Sequence, residues 1–492
     1  MKKRLLLFGA LIVVNIVSAQ SLAILEAYQL GGHDIVYLEN LMETRKGDII
    51  APVRLFDING QNIDDFGYCF LKLSRRDATI IDSTIVKAEF TNVGLLEPNP
   101  QGVGYLFINE EYDYDCECSK LKIRKFDENF NFLDDQQTIL PFEDTIFGSF
   151  PSYLPEGEDF IMCYQKSGHL VLARFGIDGE QKDKNVYDTL MGTPNYVLCN
   201  LWGLRLWNQE PREYAVAGYA EPGNGDGPVG FLFVIDSLLQ VKNNVRYEYE
   251  FQDQTWFRNN DMSYTMLDDG SYLISTPYNQ WLGNHMTFGV QVTKRDKTSH
   301  EILKTVYFPY DGQDGSPYVA DLIKDENGNV FLGYGDVEGF SGFTVVKMDS
   351  DLNGIWKRYC LSTRPWDNSS RMTLLKNDGP GVAIPIFNFM VNPGYITVVI
   401  VNDDYDGLDE QDGISIRPYA FWPNPAKGIL NLQYSPDVTP KKIELYDLQG
   451  RLVRSQTMGL ESIDMEGLAA GTYMMRVTLE GGKVFSDKVV KE

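Results

Sequence analysis

His300-Glu301-Ile302-Leu303-Lys304 opens like the helix that presents two imidazoles to a zinc ion in metalloproteases. That chemistry needs a second His one turn later, so that both rings face the metal. Lys304 holds that position, and the segment also reads as one arm of a hairpin. Cys116-Glu117-Cys118, beside Asp113 and Asp115, offers thiolates to a soft metal. No second Cys or His pair stands at finger spacing, so a disulfide or free thiols compete with that reading. Asn402, Asp404 and Asp406 stand two apart with Gly407 next, which is how a loop wraps calcium in alternate oxygens. The twelfth position of such a loop would be a Glu and is Gly413. The competing reading is a solvated acidic hinge. Calcium at Asn402, Asp404 and Asp406 is the one cofactor expectation the sequence raises.

Other chemistries find less. The four histidines, His33, His169, His285 and His300, each stand alone, and no Gly-x-Ser-x-Gly elbow occurs. Sixty-nine acids make any choice of a glycosidase carboxylate pair arbitrary. Ser350-Asp351-Leu352-Asn353-Gly354-Ile355-Trp356 is the nearest match to the turn repeated in sialidases, but it has Leu where that turn has Asp. It reads as a plain hairpin turn. Gly223-Asn224-Gly225-Asp226-Gly227 precedes a strand, whereas a phosphate cradle opens a helix. Trp202, Trp207, Trp256, Trp281 and Trp366 are placed in the longer loops, as ring-stacking groups or as packing. No catalytic residue is assigned.

The elements that must position these residues are β-strands. A unit recurs seven times, starting near Thr44, Glu97, Leu154, Pro211, Met266, Ile323 and Leu374, at spacings of about 51 to 58 residues. Each unit pairs two hairpins. Ile323-Lys324-Asp325-Glu326-Asn327-Gly328-Asn329-Val330-Phe331 shows the first, and Phe343–Asp349 leading through Leu352-Asn353-Gly354 shows the second. Alternation bounded by such turns is the antiparallel signature. Seven four-stranded sheets with no helix between them point to an all-β, seven-bladed β-propeller. The rival is a stacked array of sandwiches. The last unit runs out of chain near Asn402, so Leu22–Leu30 is expected to supply its missing strand and close the ring.

Both ends of the chain differ from this body. Lys2, Lys3 and Arg4 precede an apolar run from Leu5 to Val17, and Val17-Ser18-Ala19 suits signal peptidase, with cleavage before Gln20. That run is short of the ~20 residues of a membrane span, and no later segment reaches that length, so no transmembrane segment is expected. Residues 20–401 are read as the propeller, 402–417 as an acidic linker and 418–492 as a small Ig-like β-sandwich. The sandwich is neutral, with nine basic and nine acidic residues. Residues 21–417 hold 32 basic against 60 acidic side chains, which excludes nucleic acid as a natural partner.

Four pieces mark the C-terminal module. Phe421-Trp422-Pro423-Asn424-Pro425-Ala426 opens it. Ile443-Glu444-Leu445-Tyr446-Asp447-Leu448-Gln449-Gly450-Arg451 makes a hairpin. Leu468-Ala469-Ala470-Gly471-Thr472-Tyr473 makes a turn and enters a strand, and Val484–Lys491 closes the chain with Lys488 in a basic strand. In this order the pieces resemble the type A C-terminal sorting domain of the type IX secretion system of Bacteroidota. The resemblance places the motif at Pro423, Asn424, Pro425, Gly450, Arg451, Gly471, Tyr473 and Lys488. Trp422 departs from the family's more frequent Tyr. The resemblance implies signal-peptide export, passage through the periplasm and outer membrane by the type IX machinery, and release or attachment at the cell surface. It implies nothing about the body. The body is read as a non-catalytic binder of an unidentified protein or glycan, with a secreted glycan- or peptide-degrading enzyme as the alternative.

Overall fold

Period-two alternation becomes seven antiparallel sheets, five of four strands and two of five. The computed structural model describes residues 22–27, 34–38, 40–56, 67–75, 80–87, 91–99, 104–113, 118–140, 152–166, 168–187, 189–190, 193–194, 196–221, 229–247, 263–282, 285–309, 319–336, 342–361, 367–369, 372–376, 381–388, 395–402, 419–422, 426–434 and 438–492. Among these residues there is no helix. The signal-peptide expectation therefore lies outside the described residues.

Blade 1 runs through Asp34–Leu38 with Met42–Glu43, then Ile49–Phe56, Gly67–Leu73 and Ile80–Lys87. Blade 2 is Thr91–Pro98, Tyr105–Asp113, Cys118–Phe126 and Phe132–Leu140. Blade 3 is Ser152–Glu156, Asp159–Lys166, His169–Gly176 and Gln181–Tyr187. Blade 4 is Val197–Asn208, Glu213–Glu221, Val229–Asp236 and Val241–Tyr247. Blade 5 is Ser263–Met266, Ser271–Leu282, His285–Asp296 and Ile302–Pro309, and blade 6 is Val319–Lys324, Val330–Asp336, Gly342–Met348 and Gly354–Leu361. Blade 7 contains Asp367–Ser369 with Thr373–Leu375, Gly381–Asn388 and Tyr395–Asn402. Its fourth strand is Leu22–Ala27, paired antiparallel from Leu22↔Val401 to Ala27↔Ile396. The early segment does supply the strand that the last repeat lacks. The seven sheets are the blades of a β-propeller.

The chain divides into two compact units, Met1–Tyr249 with Trp366–Glu410, and Glu250–Pro365 with Gln411–Glu492. In the first, the central strands of a blade are apolar on both faces because each face meets a different blade. Ile49, Ala51, Val53, Cys69 and Leu71 of blade 1 pack with Ala383, Val398 and Ile400 of blade 7. The residues between them, Ile50, Tyr68 and Phe70, pack with Phe107, Phe126 and Phe130 of blade 2. Edge-to-face rings fill that second layer, with Phe70 and Phe107 centroids 4.9 Å apart at 89°. Each ring buried there contributes about 1.5–3 kcal/mol.

In the second unit, Leu273, Val290 and Val292 of blade 5 meet Leu322, Leu332, Val346 and Met348 of blade 6. The same unit holds a two-sheet sandwich. One sheet is Tyr419–Trp422, Ile429–Tyr434 and Ser462–Asp464. The other orders Leu452–Gln456, Pro440–Tyr446, Gly471–Leu479 and Val484–Lys491. Leu430, Ile443, Leu445, Ile463, Met475 and Val477 form its core.

Candidate functional site

The hairpins that join the third and fourth strands of blades 2, 4 and 6 follow one design. In blade 2, Asp127 Oδ1 accepts the backbone N–H groups of Asn129 and Asn131, each at 2.8 Å, and Oδ2 accepts Asn131 Nδ2 at 2.8 Å. Asp349 of blade 6 does the same to Asp351 and Asn353, at 2.9 and 2.8 Å. Asp236 of blade 4 accepts from Leu238 and Gln240, each at 2.9 Å. The backbone there is a type I turn followed by one left-handed residue. Glycine is usual at that place, yet these turns carry Phe130 (φ 66°), Leu239 (φ 58°) and Leu352 (φ 60°). All three side chains are buried. Left-handed backbone costs a non-glycine residue about 1–2 kcal/mol, and burial of Phe or Leu more than offsets it.

Cations on the preceding blade hold these turns. Arg174 of blade 3 donates from Nη2 to Ser237 O at 2.7 Å. Lys294 of blade 5 donates from Nζ to Ser350 O and Asp351 Oδ1, both at 3.0 Å, and pairs with Asp269 Oδ2 at 2.7 Å. Both cations stand on a third strand just before the bulge that opens the hairpin. Burial works against the Lys294 ammonium, but Asp269 and Asp351 outweigh it and raise its pKa. Between blades 3 and 4, Arg212 Nε meets Glu156 Oε1 at 2.5 Å, and Tyr214 donates its hydroxyl to the other Glu156 oxygen. Burial pushes the Tyr214 phenol up to about 12, so it stays protonated. This arrangement is an ion pair closed by a phenol, and it ties two blades together.

The residues named for metal chemistry do not gather. His300 is the left-handed residue of the blade 5 turn (φ 61°), and its Nδ1 lies 3.0 Å from the Tyr272 hydroxyl. Burial, then the Arg295 charge, lowers its pKa. Lys304 extends along the next strand and donates to Asp351 O at 2.6 Å. Ser350–Gly354 is the hairpin turn it was read as. Among the described residues no group of three or more His, Cys, Asp or Glu is placed to hold a metal ion. Asn402 ends a blade 7 strand, whereas Asp404 and Asp406 lie outside the described residues, as do Cys116, Gly223–Gly227, Trp256 and Trp366. Cys69 and Cys163 are buried thiols that form no disulfide. The expectation that the tryptophans sit in loops is corrected for three of them. Trp202 and Trp207 lie within Val197–Asn208 and Trp281 within Ser271–Leu282, and Trp207 is buried. Those strands run to twelve residues, longer than the turn spacing foretold.

The C-terminal sandwich brings its signature pieces to one end of the four-stranded sheet. Asp447 Oδ1 accepts the N–H groups of Gln449 and Arg451 at 3.0 and 2.9 Å, and Arg451 Nε returns to Oδ2 at 2.7 Å. Gly450 takes the left-handed place (φ 75°), and an added Cβ would meet nothing within 4 Å. Gly471 opens the third strand of the sheet at φ 154°, and two residues later Tyr473 donates its hydroxyl to Ala469 O at 2.7 Å, pinning the turn that precedes it. Lys488 pairs with Met474 by register. The chain end is fastened where the module begins: Ala426 N donates to Val490 O at 2.7 Å, and Glu492 N to Ala426 O at 3.0 Å. Pro423, Asn424 and Pro425, just before, lie outside the described residues. Sequence reasoning missed the buried hydrogen bond from Tyr419 to Asp487, which crosses between the sheets. A lone Asp in an otherwise apolar-alternating terminal strand was its only signal.

Residues 420–492 match the secretion system C-terminal sorting domain. The tail is such a domain, as the order of its four pieces implied, and it marks the chain for export to the cell surface or beyond. No curated protein is recognisably similar to the chain. Solved structures resemble it at low identity. A GH93 α-L-arabinofuranosidase of Fusarium graminearum in complex with arabinobiose is 10% identical, with 78% of this chain and 97% of that one covered at a TM-score of 0.40. The β-propeller domain of the Trilobed protease from Pyrococcus furiosus is 9% identical, covering 76% and 97% at 0.39. A Dyadobacter fermentans protein of unknown function is 8% identical, covering 79% and 100% at 0.41. Likenesses of this order carry no argument about ligand or activity. Among the described residues no helix is long and apolar enough to cross a membrane.

Proposed function

We propose that the chain is a cargo of the type IX secretion machinery whose propeller body binds a protein or glycan outside the cell without catalysing a reaction. The sorting domain at residues 420–492 carries the first half of this reading. A positively charged, apolar N-terminus of signal-peptide type supplies the first export step. The body's described ionic groups support the second half. Lys294, Arg174, Glu156 and Arg212 are engaged in holding hairpins and blades together. The sequence between the blades is acidic, as at Glu248, Glu250 and Asp253, and this reading places the ligand there.

Two experiments test it. Deleting residues 420–492 from the full chain in a secreting host should leave the protein in the periplasm, and unchanged release into the medium would refute the address. The mature protein on a glycan array, run beside glycan and peptide hydrolysis assays, should show retained binding and no turnover. Cleavage without retained binding would overturn the binding reading.

A further inference from the structure

We propose that the sorting domain is read through one end of its four-stranded sheet, on the outward face that carries Leu452 and Met474, and that its partner there is an apolar, acid-rimmed protein surface of the secretion machinery. This rests on the sorting reading and names the part of the domain that is recognised.

Three observations on this face carry it. First, register places Leu452 opposite Tyr446 and Tyr446 opposite Met474, so the three lie side by side on adjacent strands. Leu452 is 51% exposed and Met474 47%, although Met475, one residue on, sits in the core, as does Leu445 beside Tyr446. Leu448, in the adjoining turn, is 75% exposed. Apolar residues gathered in this way mark contact surfaces, whereas single ones need no explanation. Second, the Gly450–Arg451 turn, Gly471 and the fastened chain end converge on the same end of the sheet. Third, the charges around the row lean positive. Arg451 pairs with Asp447 at 2.7 Å and Lys442 with Glu444 at 2.5 Å, so each pair is neutral, and exposed Arg476 together with Lys488, opposite Met474 by register, leaves the surplus positive. An apolar centre with a basic rim fits an apolar patch rimmed by carboxylates.

The test uses the full chain in a secreting host. Leu452→Asp with Met474→Asp puts two carboxylates into the contact at exposed places, where the fold tolerates them. The double variant should be released into the medium about tenfold less than the unaltered chain, or lower still. It should accumulate in the periplasm with its melting temperature unchanged. Leu452→Met with Met474→Leu should be released normally, and so should Ile429→Asp, an equally exposed residue of the other sheet. Normal release of the double Asp variant overturns the proposal, as does an equal block by Ile429→Asp. Sedimentation that shows self-association lost in the double variant also overturns it, by assigning the face to a second copy. Deletion of 420–492 runs in parallel. If the deletion is released normally the address itself fails, and if only the double variant is released normally the face alone fails.

Discussion

The blade 2 hairpin and the first hairpin of the sorting domain share one frame and differ at one residue. Asp127 and Asp447 each collect two backbone N–H groups and one side-chain donor. At the left-handed position the blade has Phe130 and the tail has Gly450. Phe130 is buried among Phe70, Tyr105 and Phe126, partly on the neighbouring blade. Gly450 faces open space. A residue that would be a liability in isolation becomes a plug where another sheet lies against the turn. The apolar residues left exposed differ in the same sense. On the blades they lie along the outer strands, Ile81 with Ile85 on one strand, Leu238 with Val241 in one hairpin, and Val186, Leu303 and Ile355 each on a separate sheet. On the tail Leu452 and Met474 flank Tyr446 in one row. The body buries most of its apolar surface between its own repeats, whereas the sorting domain sets two exposed apolar residues in one row across adjacent strands.

The largest effect expected from this contrast is at Phe130. Phe130→Ala should destabilise the body by about 3–5 kcal/mol, read by denaturant unfolding, since it leaves a cavity and keeps the strained backbone. Phe130→Gly should recover about 1 kcal/mol of that. If glycine alone restored full stability, the plug would be no plug. Lys294→Met should cost roughly 2 kcal/mol: a buried ammonium is lost, but Asp269 and Asp351 are exposed enough to regain water. The converse change in the tail, Gly450→Leu, should cost only about 1–2 kcal/mol, all of it backbone strain. A loss as large as that of Phe130→Ala would mean the tail turn is packed after all.

Smaller still is a titration. His300 has its folded pKa lowered, chiefly by burial. The stability it contributes is fully present above the unfolded value near 6.5 and is lost as pH falls through the folded value. The melting temperature should therefore step down as pH falls from about 7 toward 5. His300→Asn, which tolerates positive φ, should flatten that step. Asp127 and Asp269, whose pKa values are lowered, act in the same direction at more acid pH. The least perturbing test is alkylation. Burial pushes the Cys69 thiol up to about 12, so it should resist iodoacetamide at pH 8 until the body unfolds.

Much of the architecture was legible because strands leave a local record. Alternation and Asp-Gly or Asn-Gly turns placed the hairpins. The shortage of chain after Asn402 pointed to Leu22–Ala27 as the missing strand. Four short motifs in order identified the tail. What stayed hidden depends on residues far apart in sequence. Leu352 in a left-handed turn looks unfavourable until blade 5 is seen against it. Nothing near Lys294 announces that it reaches Ser350, 56 residues on. Trp207 and Trp281 were assigned to loops because their strands outrun the repeat's usual length. Leu452 and Met474 look like ordinary strand residues until register sets both beside Tyr446.

The pairing of Leu22–Ala27 with Tyr395–Asn402 also sets a timetable. A strand made among the first has to wait for nearly the whole body to be synthesised before its partner exists, and contacts this distant in sequence form late. The sorting domain begins within about 20 residues of that partner. A chain cut short anywhere in the body therefore lacks both the last blade's central strand and the address. The machinery that reads the tail thus sees only chains that already contain everything the last blade needs, and completeness is checked by the order of the chain itself.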